Sequence, residues 1–315
     1  MPQKPPVWAV VGATASGKTD LGVQLALHYN GEVVSADSMQ IYKGLDIATA
    51  KPTPDEMQGV PHHLISTLSP ETPCSVADYV AYARAVIADI HARGKLPIVV
   101  GGTGLYIDSL LENIQFPDVP SSQAVRDRLA AEAETEGAAA LLARLQECDP
   151  ASAAKLHENN LRRVIRALEV YELTGTTLSE FARQSRSVPP PWNVTWFGVG
   201  FVDRQKLYDR IDRRVDHMLE TGLADEVREE YESHRRRATA AAAIGYKELL
   251  PWLCGEASME ECVAKLKQET RRYAKRQSTW FRRNGQINWI YRDNICDNME
   301  IFLKCRKIIA KSGEL

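Results

Sequence analysis

The sequence has little that is typical of a membrane protein, a disulfide-bonded secreted protein or a zinc protein. Its six cysteines include no C-x-x-C pair, and its seven histidines complete no zinc-binding pattern. No window is apolar for long enough to span a bilayer, and the first residues, MPQKPPVWAVV, lack the apolar stretch of a signal peptide. We therefore expect a cytoplasmic protein with free thiols and no membrane partner.

A strong net charge is also absent. The 39 basic and 41 acidic side chains give a formal charge of −2, so the chain is not globally basic. This balance does not exclude a nucleic-acid partner, because a local basic face is what binds one. With 315 residues, of which 44% are hydrophobic, the chain can bury the core of one large domain or two modest ones.

The most informative motif present is the segment 12–19, GATASGKT, which fits the phosphate-loop pattern. Residues 7–11 predict a buried strand before it, and residues 20–29 predict a helix after it, which disfavours a chance match. In such a loop the backbone N–H groups at a helix N-terminus bind a di- or triphosphate. We expect Lys18 to reach the phosphate chain and Thr19 to bind Mg²⁺. The predicted diphosphate or nucleotide site consists of Gly12, Ala13, Thr14, Ala15, Ser16, Gly17, Lys18 and Thr19.

A carboxylate is missing where many phosphate-loop ATPases have one. The later apolar run 96–100 ends in Gly101-Gly102-Thr103-Gly104, with no aspartate to hold the Mg²⁺ shell. Thr103 is instead a compact hydroxyl donor, and its flanking glycines are expected to leave room for a substrate; a plain turn is the alternative. The site is favoured because ligands bind at the carboxyl ends of parallel strands.

Asp37 is the candidate general base. It follows the predicted strand 32–34, so it should lie at the same edge of the sheet as the phosphate loop. The alternative is that Asp37 is only a helix-capping or turn residue, a common role for aspartate. Spacing alone does not separate the two roles.

Two clusters of cations suggest anionic partners. Arg210 and Arg214 are four apart in a predicted helix, so both lie on one face and suit a diphosphate. The alternative is a solvated face paired with nearby aspartates. The segment 270–283, TRRYAKRQSTWFRR, combines cations with aromatic residues and has no acid, a pattern typical of RNA contact; an exposed helix with a core-facing tryptophan is the alternative. We select Arg272 and Arg276 from it as RNA contacts.

The order of predicted elements indicates an α/β fold, with a P-loop kinase-like parallel sheet flanked by helices and an all-helical insertion domain. Residues 121–184 are rich in Ala, Leu, Glu and Arg and contain no good strand, and the prolines 189–191 end this region. Residues 193–201 return to the sheet, and the rest is expected to be mainly helical. The predicted catalytic core is therefore 1–117 with 193–315, and the insertion is 118–192.

Together these segments resemble the bacterial tRNA dimethylallyltransferase (tRNA isopentenyltransferase) family over nearly the whole chain. The resemblance is carried by GATASGKT from Gly12, SADSMQIYKGLDIATAKP from Ser35, PHHLI from Pro61, VVGGTGLY from Val99, IRALEVYELTG from Ile165, RIDRRVDHMLETGLADEV from Arg210, AIGYKEL from Ala243 and TRRYAKRQSTWFRR from Thr270. Several of these segments are long and occur in a fixed order, so the resemblance is specific.

The resemblance implies transfer of a dimethylallyl group from dimethylallyl diphosphate to the N6 amine of the adenosine adjacent to the anticodon of tRNA. It implies that Asp37 is the base, that Thr103 contacts the oxygen between the prenyl group and the diphosphate, and that Arg210 and Arg214 act on the leaving group with Mg²⁺. The insertion is expected to grip the anticodon arm, and we expect a monomer. Implied tRNA contacts are Asp37, Ser38, Met39, Gln40, Arg126, Arg162, Arg163, Val164, Ile165, Arg166, Ala242, Ala243, Ile244, Gly245, Tyr246 and Lys247.

A few positions depart from the family pattern, and other functions remain open at this stage. Ala242 replaces an arginine of some members, and Ser66 and Ser69 stand where acidic residues are common. An ATP-dependent small-molecule kinase would share the fold, but it should carry the missing acid. An isopentenyltransferase acting on free adenine nucleotides would not need the basic segment near the C-terminus. A non-catalytic RNA-binding protein would not need Asp37 or Thr103.

Overall fold

The computed structural model describes residues 4–116, 119, 121–233, 243–295 and 298–312. Its strands are β1 Pro6–Gly12, β2 Gly31–Ala36, β3 His62–His63, β4 Leu96–Gly101, β5 Asn193–Gly200 and β6 Asn288–Tyr291. Its α-helices are α1 Lys18–His28, α2 Pro54–Met57, α3 Val76–Ala92, α4 Gly104–Leu111, α5 Gln123–Glu136, α6 Ala138–Cys148, α7 Pro150–Ala153, α8 Leu161–Thr174, α9 Leu178–Gln184, α10 Arg204–Glu220, α11 Leu223–Glu232, α12 Tyr246–Leu253, α13 Met259–Phe281 and α14 Asn298–Ser312. A short 3₁₀ helix covers Glu158–Asn160.

The strands form one parallel sheet in the order β3-β2-β4-β1-β5-β6. Val11 of β1 and Ala36 of β2 both lie opposite Gly101 of β4, so these three strands end at the same level. This register brings the phosphate loop, Asp37 and Thr103 to one edge of the sheet. The predicted α/β class is confirmed. The edge strands β3 and β6 were not expected from the sequence.

The sheet is buried on both faces, as expected for a parallel sheet covered by helices. Val7, Ala9 and Val11 of β1 pack on one side, and Trp8 and Val10 pack on the other. This explains why β1 is a continuous apolar run rather than an alternating one. On the first side lies α3, which begins with a capping box: Ser75 Oγ accepts from the Asp78 N–H, and the Asp78 carboxylate accepts from the Ser75 N–H.

The chain divides into two compact units, Met1–Leu111 with Pro191–Leu315 and Glu112–Pro190. In the described part of the second unit, every regular element is helical. Its core is apolar, and the buried members include Leu129, Leu141, Leu145, Val164 and Leu168. No helix among the described residues of the chain is long and apolar enough to cross a membrane.

Candidate active site

The phosphate loop connects the end of β1 to the start of α1. Ala15 and Gly17 have positive φ angles of 61° and 90°, and left-handed residues of this kind build the concave backbone that binds anions. A side chain at Gly17 would lie 1.8 Å from a guanidinium nitrogen of Arg292, which also donates to Ser16 O at 3.3 Å. The backbone of the loop is therefore hydrogen-bonded by an arginine that is 276 positions distant from Ser16 in sequence.

Three more cations contact the loop. Lys18 Nζ lies 3.4 Å from Ala13 O, Arg210 Nε donates to Ala15 O at 2.9 Å, and Arg214 lies 3.4 Å from the Thr14 hydroxyl. These are neutral acceptors. Within the described residues, no carboxylate forms an ion pair with Lys18, Arg210 or Arg214.

The aspartates that could have neutralised the two arginines are engaged elsewhere. Asp212 pairs with Arg271 at 2.6 Å, and Asp216 pairs with Lys267 at 2.5 Å. Asp209 accepts a hydrogen bond from Gln205 at 2.8 Å. A solvated, self-neutralised face therefore does not describe the surroundings of Arg210 and Arg214.

Burial lowers the pKa of all three cations, and neighbouring cations add to this effect at Lys18 and Arg210. Burial and the neighbouring Arg214 together lower the pKa of Lys18 to about 8, although Asp37 opposes the shift. Burial also lowers the pKa of Arg214, and burial with the neighbouring Arg292 lowers that of Arg210. Crowded, desolvated cations are stabilised by an anionic ligand, and a diphosphate supplies the required charge.

Asp37 both holds a turn and faces a cavity. Its Oδ1 accepts from the Met39 N–H at 2.9 Å and from the Gln40 N–H at 3.3 Å, which is the turn role considered from the sequence. In the described part of the chain no hydrogen bond engages Oδ2, and the residue lines the cavity beside Lys18. The two roles left open by the sequence are thus compatible in one side chain.

Thr103 lies at the same edge of the sheet as Asp37. Its Oγ1 accepts from the Ser38 N–H at 3.1 Å, and its own N–H donates to Ala36 O at 3.2 Å. The β2 turn that carries Asp37 and the β4 turn that carries Thr103 are therefore joined directly. This leaves a hydroxyl and a carboxylate from neighbouring turns close to the phosphate loop.

The glycines around Thr103 do not leave room for a substrate, and this expectation is wrong. A Cβ at Gly101 would lie 2.2 Å from Ala36 O, and one at Gly102 would lie 2.1 Å from Gln277 Nε2. A Cβ at Gly104 would lie 2.2 Å from the Trp280 ring. The space is already filled by β2 and α13, so these glycines permit close packing inside the protein.

The cavity has a volume of about 280 Å³ and is built entirely from the first unit. Its cationic end contains the phosphate-loop residues Thr14, Lys18 and Thr19 together with Arg214. Apolar side chains line other parts of the wall, among them Ile65, Ile211, Val215, Met218, Ile244 and Leu266. One cavity thus offers an anion-binding end and apolar surface, a combination that suits an organic diphosphate.

Several predicted tRNA contacts also line this cavity. They are Asp37, Ser38, Met39, Gln40, Ile244, Gly245, Lys247 and Arg276. Arg276 lies over the Tyr273 ring at 5.7 Å, whereas Arg272 is already paired with Glu269 at 2.7 Å. Ala243 and Tyr246 are buried, and Ala242 lies outside the described residues.

The remaining predicted tRNA contacts belong to the helical unit. Arg162 and Arg163 are exposed at the start of α8, whereas Val164 and Ile165 are buried in the core of that unit. Arg126 and Arg166 both bind the carboxylate of Glu169, at 3.0 Å and 2.8 Å. The cations of this segment, rather than its apolar members, have side chains that can meet RNA.

Besides Arg292, two residues near the site were not singled out by the sequence analysis. Gln277 accepts from the Thr14 N–H at 2.8 Å and donates to Gly102 O at 3.0 Å. His62 lines the cavity, and its Nε2 is buried with no hydrogen-bond partner in the described residues, while Nδ1 is bonded to Val60 O. Of these residues, only Gln277 could have been found from helical spacing in the sequence. It lies four positions before the buried Phe281 on α13 and therefore belongs to the inner face of that helix.

The residues at the loop fit a magnesium ion that is held largely by its substrate. Among the described residues, no group of three or more His, Cys, Asp or Glu could hold a metal. Mg²⁺ is commonly bound through one or two protein oxygens plus substrate phosphates and water. The Thr19 hydroxyl lines the cavity beside Lys18 and can provide one of these oxygens.

Comparison with known proteins agrees with this picture. The family model described as IPP transferase matches residues 40–284, and that described as isopentenyl transferase matches residues 5–68. A tRNA dimethylallyltransferase of Caldanaerobacter subterraneus is 48% identical over 90% of this chain and 91% of that protein. The fold and the cavity define an α/β transferase. The chain belongs to the IPP transferase family.

Solved structures show the same similarity. The full-length tRNA isopentenylpyrophosphate transferase of Bacillus halodurans is 42% identical, with a TM-score of 0.73 over 98% of this chain and 96% of that one. A eukaryotic dimethylallyltransferase, described as acting on tRNA, has a TM-score of 0.81 at 32% identity, over 96% of this chain and 78% of that one. The resemblance identified in the sequence is confirmed.

Proposed function

We propose that this chain transfers a dimethylallyl group from dimethylallyl diphosphate to the N6 amine of the adenosine adjacent to the anticodon of tRNA, releasing diphosphate. One observation carries the proposal: Lys18, Arg210 and Arg214 surround the phosphate loop without carboxylate partners in the described residues, and Asp37 lines the cavity that this loop enters. Relatives named for this reaction, or for acting on tRNA, support the choice of both substrates.

The acceptor half of the reaction assigns a role to Asp37. An adenine amine is a weak nucleophile because its lone pair is delocalised into the ring. As the bond between N6 and the prenyl carbon forms, the amine becomes acidic, and Asp37 Oδ2 takes its proton. A base in this position contributes a rate factor of roughly 10²–10⁴. The turn bonds to Oδ1 keep the carboxylate oriented without occupying its other oxygen.

The donor half depends on stabilising the diphosphate that leaves. As the bond from the prenyl carbon to oxygen breaks, negative charge develops on the diphosphate, and Lys18, Arg210 and Arg214 stabilise it together with the loop N–H groups. We assign to the Thr103 hydroxyl the donation of a hydrogen bond to the bridging oxygen. Mg²⁺, held by Thr19 and the diphosphate oxygens, would neutralise further charge when bound.

The tRNA half requires the target base to leave its stack. A hairpin loop makes this step easy, because its bases are already partly unstacked. Arg276 and Lys247 at the cavity, and Arg162 and Arg163 on the helical unit, are the cations we assign to the RNA backbone. We propose that the insertion binds the anticodon arm and that the enzyme acts as a cytoplasmic monomer.

The decisive experiment combines the purified protein, Mg²⁺, radiolabelled dimethylallyl diphosphate and an unmodified tRNA that has adenosine next to the anticodon. Label should enter the tRNA and should be lost with the Asp37→Asn variant. A second tube replaces the tRNA with AMP, and a third replaces the prenyl donor with labelled ATP. Transfer to AMP alone would indicate a free-nucleotide enzyme, and ATP turnover without prenyl transfer would indicate a kinase.

A further inference from the structure

Gln277 has a buried side-chain amide on α13, a helix that is rich in arginine and lysine. Only 5% of the residue is exposed, and it lies on the inner face of α13, near the buried Ala274 and Phe281. A buried amide is costly unless its oxygen and nitrogen both find partners. Both partners of Gln277 are backbone groups, and they belong to two different turns at the carboxyl edge of the sheet.

These partners fix the orientation of the amide. A backbone N–H can only donate and a carbonyl can only accept, so the oxygen of Gln277 must face Thr14 N, at 2.8 Å, and its nitrogen must face Gly102 O, at 3.0 Å. A flipped amide would leave both backbone groups facing the wrong atom. Gln277 therefore acts as a spacer of fixed length between Thr14 and Gly102.

The two turns that it joins carry different parts of the reaction. Thr14 belongs to the phosphate loop, and Gly102 directly precedes Thr103. Gly102 and Thr103 share a peptide bond, so a shift of the Gly102 carbonyl moves the backbone of Thr103. The amide thus bonds the phosphate loop directly and is linked to Thr103 through the carbonyl of the preceding residue, Gly102.

We propose that Gln277 is a positioning residue that sets the separation between the phosphate loop and the Thr103 hydroxyl during prenyl transfer. The inference rests on the proposed function. The diphosphate must sit in the loop while its bridging oxygen meets Thr103, so an error in this separation slows the transfer step rather than substrate binding. A displacement of about 1 Å is enough to cost roughly 100-fold in rate.

The matched variants are Gln277→Glu and Gln268→Glu. A glutamate keeps the size of the side chain and still accepts from Thr14 N, but it cannot donate to Gly102 O. Gln268 is an exposed glutamine on the same helix and serves as the control. Single-turnover rates, donor KM and tRNA Kd should be measured for each protein, with thermal unfolding to confirm folding.

We expect Gln277→Glu to lower the transfer rate by about 100-fold while tRNA Kd stays within about twofold, and Gln268→Glu to match the wild type. A Gln277→Glu protein with the wild-type rate would overturn the proposal. So would a rate loss that is explained fully by weaker tRNA binding. Absence of transfer by the wild-type enzyme would instead contradict the proposed function itself.

A double-mutant cycle with Thr103→Val separates positioning from a general structural role. If Gln277 acts through Thr103, Gln277→Glu should cost clearly less in the Thr103→Val background than in the wild type. Equal losses in the two backgrounds would show that the amide does not act through Thr103. A purely structural role would also lower the unfolding temperature in proportion to activity, and we expect no such correlation.

Discussion

The two units of this protein use their cations differently. Around the phosphate loop, Lys18, Arg210 and Arg214 contact carbonyl and hydroxyl oxygens and have no carboxylate partner in the described chain. In the helical unit, Arg126 and Arg166 share Glu169, which has no exposed surface. There, Arg128 and Arg144 also bind Glu132 and Glu172.

This difference separates charges that belong to the fold from charges held for a ligand. A cation paired with a buried carboxylate is neutralised permanently, and losing either partner costs stability. A desolvated cation without an ion-pair partner is stabilised further when an anion binds, so its lowered pKa is a property of the unliganded site. The number of arginines in a unit therefore does not show how many of them are available to bind an anionic ligand.

The largest effect should come from Asp37, the one acidic side chain identified in the cationic cavity. Asp37→Asn keeps an oxygen that can accept from the Met39 and Gln40 N–H groups, but it cannot take the amine proton. We expect the transfer rate to fall by roughly 10²–10⁴ while tRNA affinity is retained, as measured by single-turnover assay and filter binding. A large loss of tRNA affinity would instead make Asp37 a structural contact.

Lys18→Met tests whether the loop cations serve the donor. Removing one charged donor from the leaving group should lower kcat/KM for dimethylallyl diphosphate by about 100-fold. Stability should not decrease, since the lysine ammonium is desolvated and has no carboxylate partner in the described residues. Unchanged donor kinetics, measured at several donor concentrations, would contradict the assignment of this loop.

The same lysine predicts a dependence on pH. Its pKa of about 8 lies below the ordinary value, so it is charged at pH 7 and largely neutral at pH 9.5. Affinity for inorganic diphosphate, measured by calorimetry at fixed Mg²⁺, should therefore fall by about tenfold over this range. The Lys18→Met protein is the control, because its pH dependence reflects the protonation of the diphosphate without that of Lys18. If its pH dependence equals that of the wild type, Lys18 does not titrate at the site.

Glu169→Gln probes the paired cations of the other unit. The carboxylate accepts from Arg126, Arg166 and the Ser122 N–H, and these bonds outweigh burial and lower its pKa. Its stabilising effect is present at neutral pH and is lost as the pH falls through the lowered pKa. We expect a loss of about 2 kcal/mol in the free energy of unfolding at pH 7.

The measurement for Glu169→Gln is urea unfolding at pH 7, with the exposed Glu147→Gln as control. Its kcat with saturating tRNA should stay near that of the wild type, because no reacting group is assigned to this carboxylate. A variant as stable as the control would show that the buried ion pairs of this unit do not stabilise it.

The smallest effect is expected from Arg272→Gln combined with Arg276→Gln. Binding of cations to phosphates makes log K for tRNA fall linearly with log salt, and removing one contact should reduce the slope by about 0.7–0.9. Arg272 is already paired with Glu269, so most of the change should come from Arg276. An unaltered slope would show that neither arginine binds the RNA backbone.

The parts of the site that are predictable from the sequence are those with local patterns. The phosphate loop has a motif flanked by a strand and a helix, and Asp37 and Thr103 follow apolar runs, so the parallel sheet places them at one edge. Gln277 and Arg292 are different. They contact Gly102 and Ser16 across 175 and 276 positions. The helix and strand periods in a sequence describe neighbouring residues only, so they do not predict such pairs.

The same limit explains the error about the glycine turn and the missed edge strands. Gly102 packs closely against Gln277, which comes from a distant segment of the chain. When the glycine segment is considered alone, the space that Gln277 fills cannot be distinguished from open solvent. Strand β3 is two residues long and β6 is four, which is too short for alternation to stand out.

The distance between the phosphate loop and Gln277 has a consequence for protein synthesis. A chain leaves the ribosome from its N-terminus, so the loop around Thr14 emerges before α13. Its partner on α13 follows 263 positions later, and Arg292 later still. The contacts that Gln277 and Arg292 make with the phosphate loop can therefore form only after both residues have been synthesised, and a nascent chain that carries the loop alone lacks these two supports.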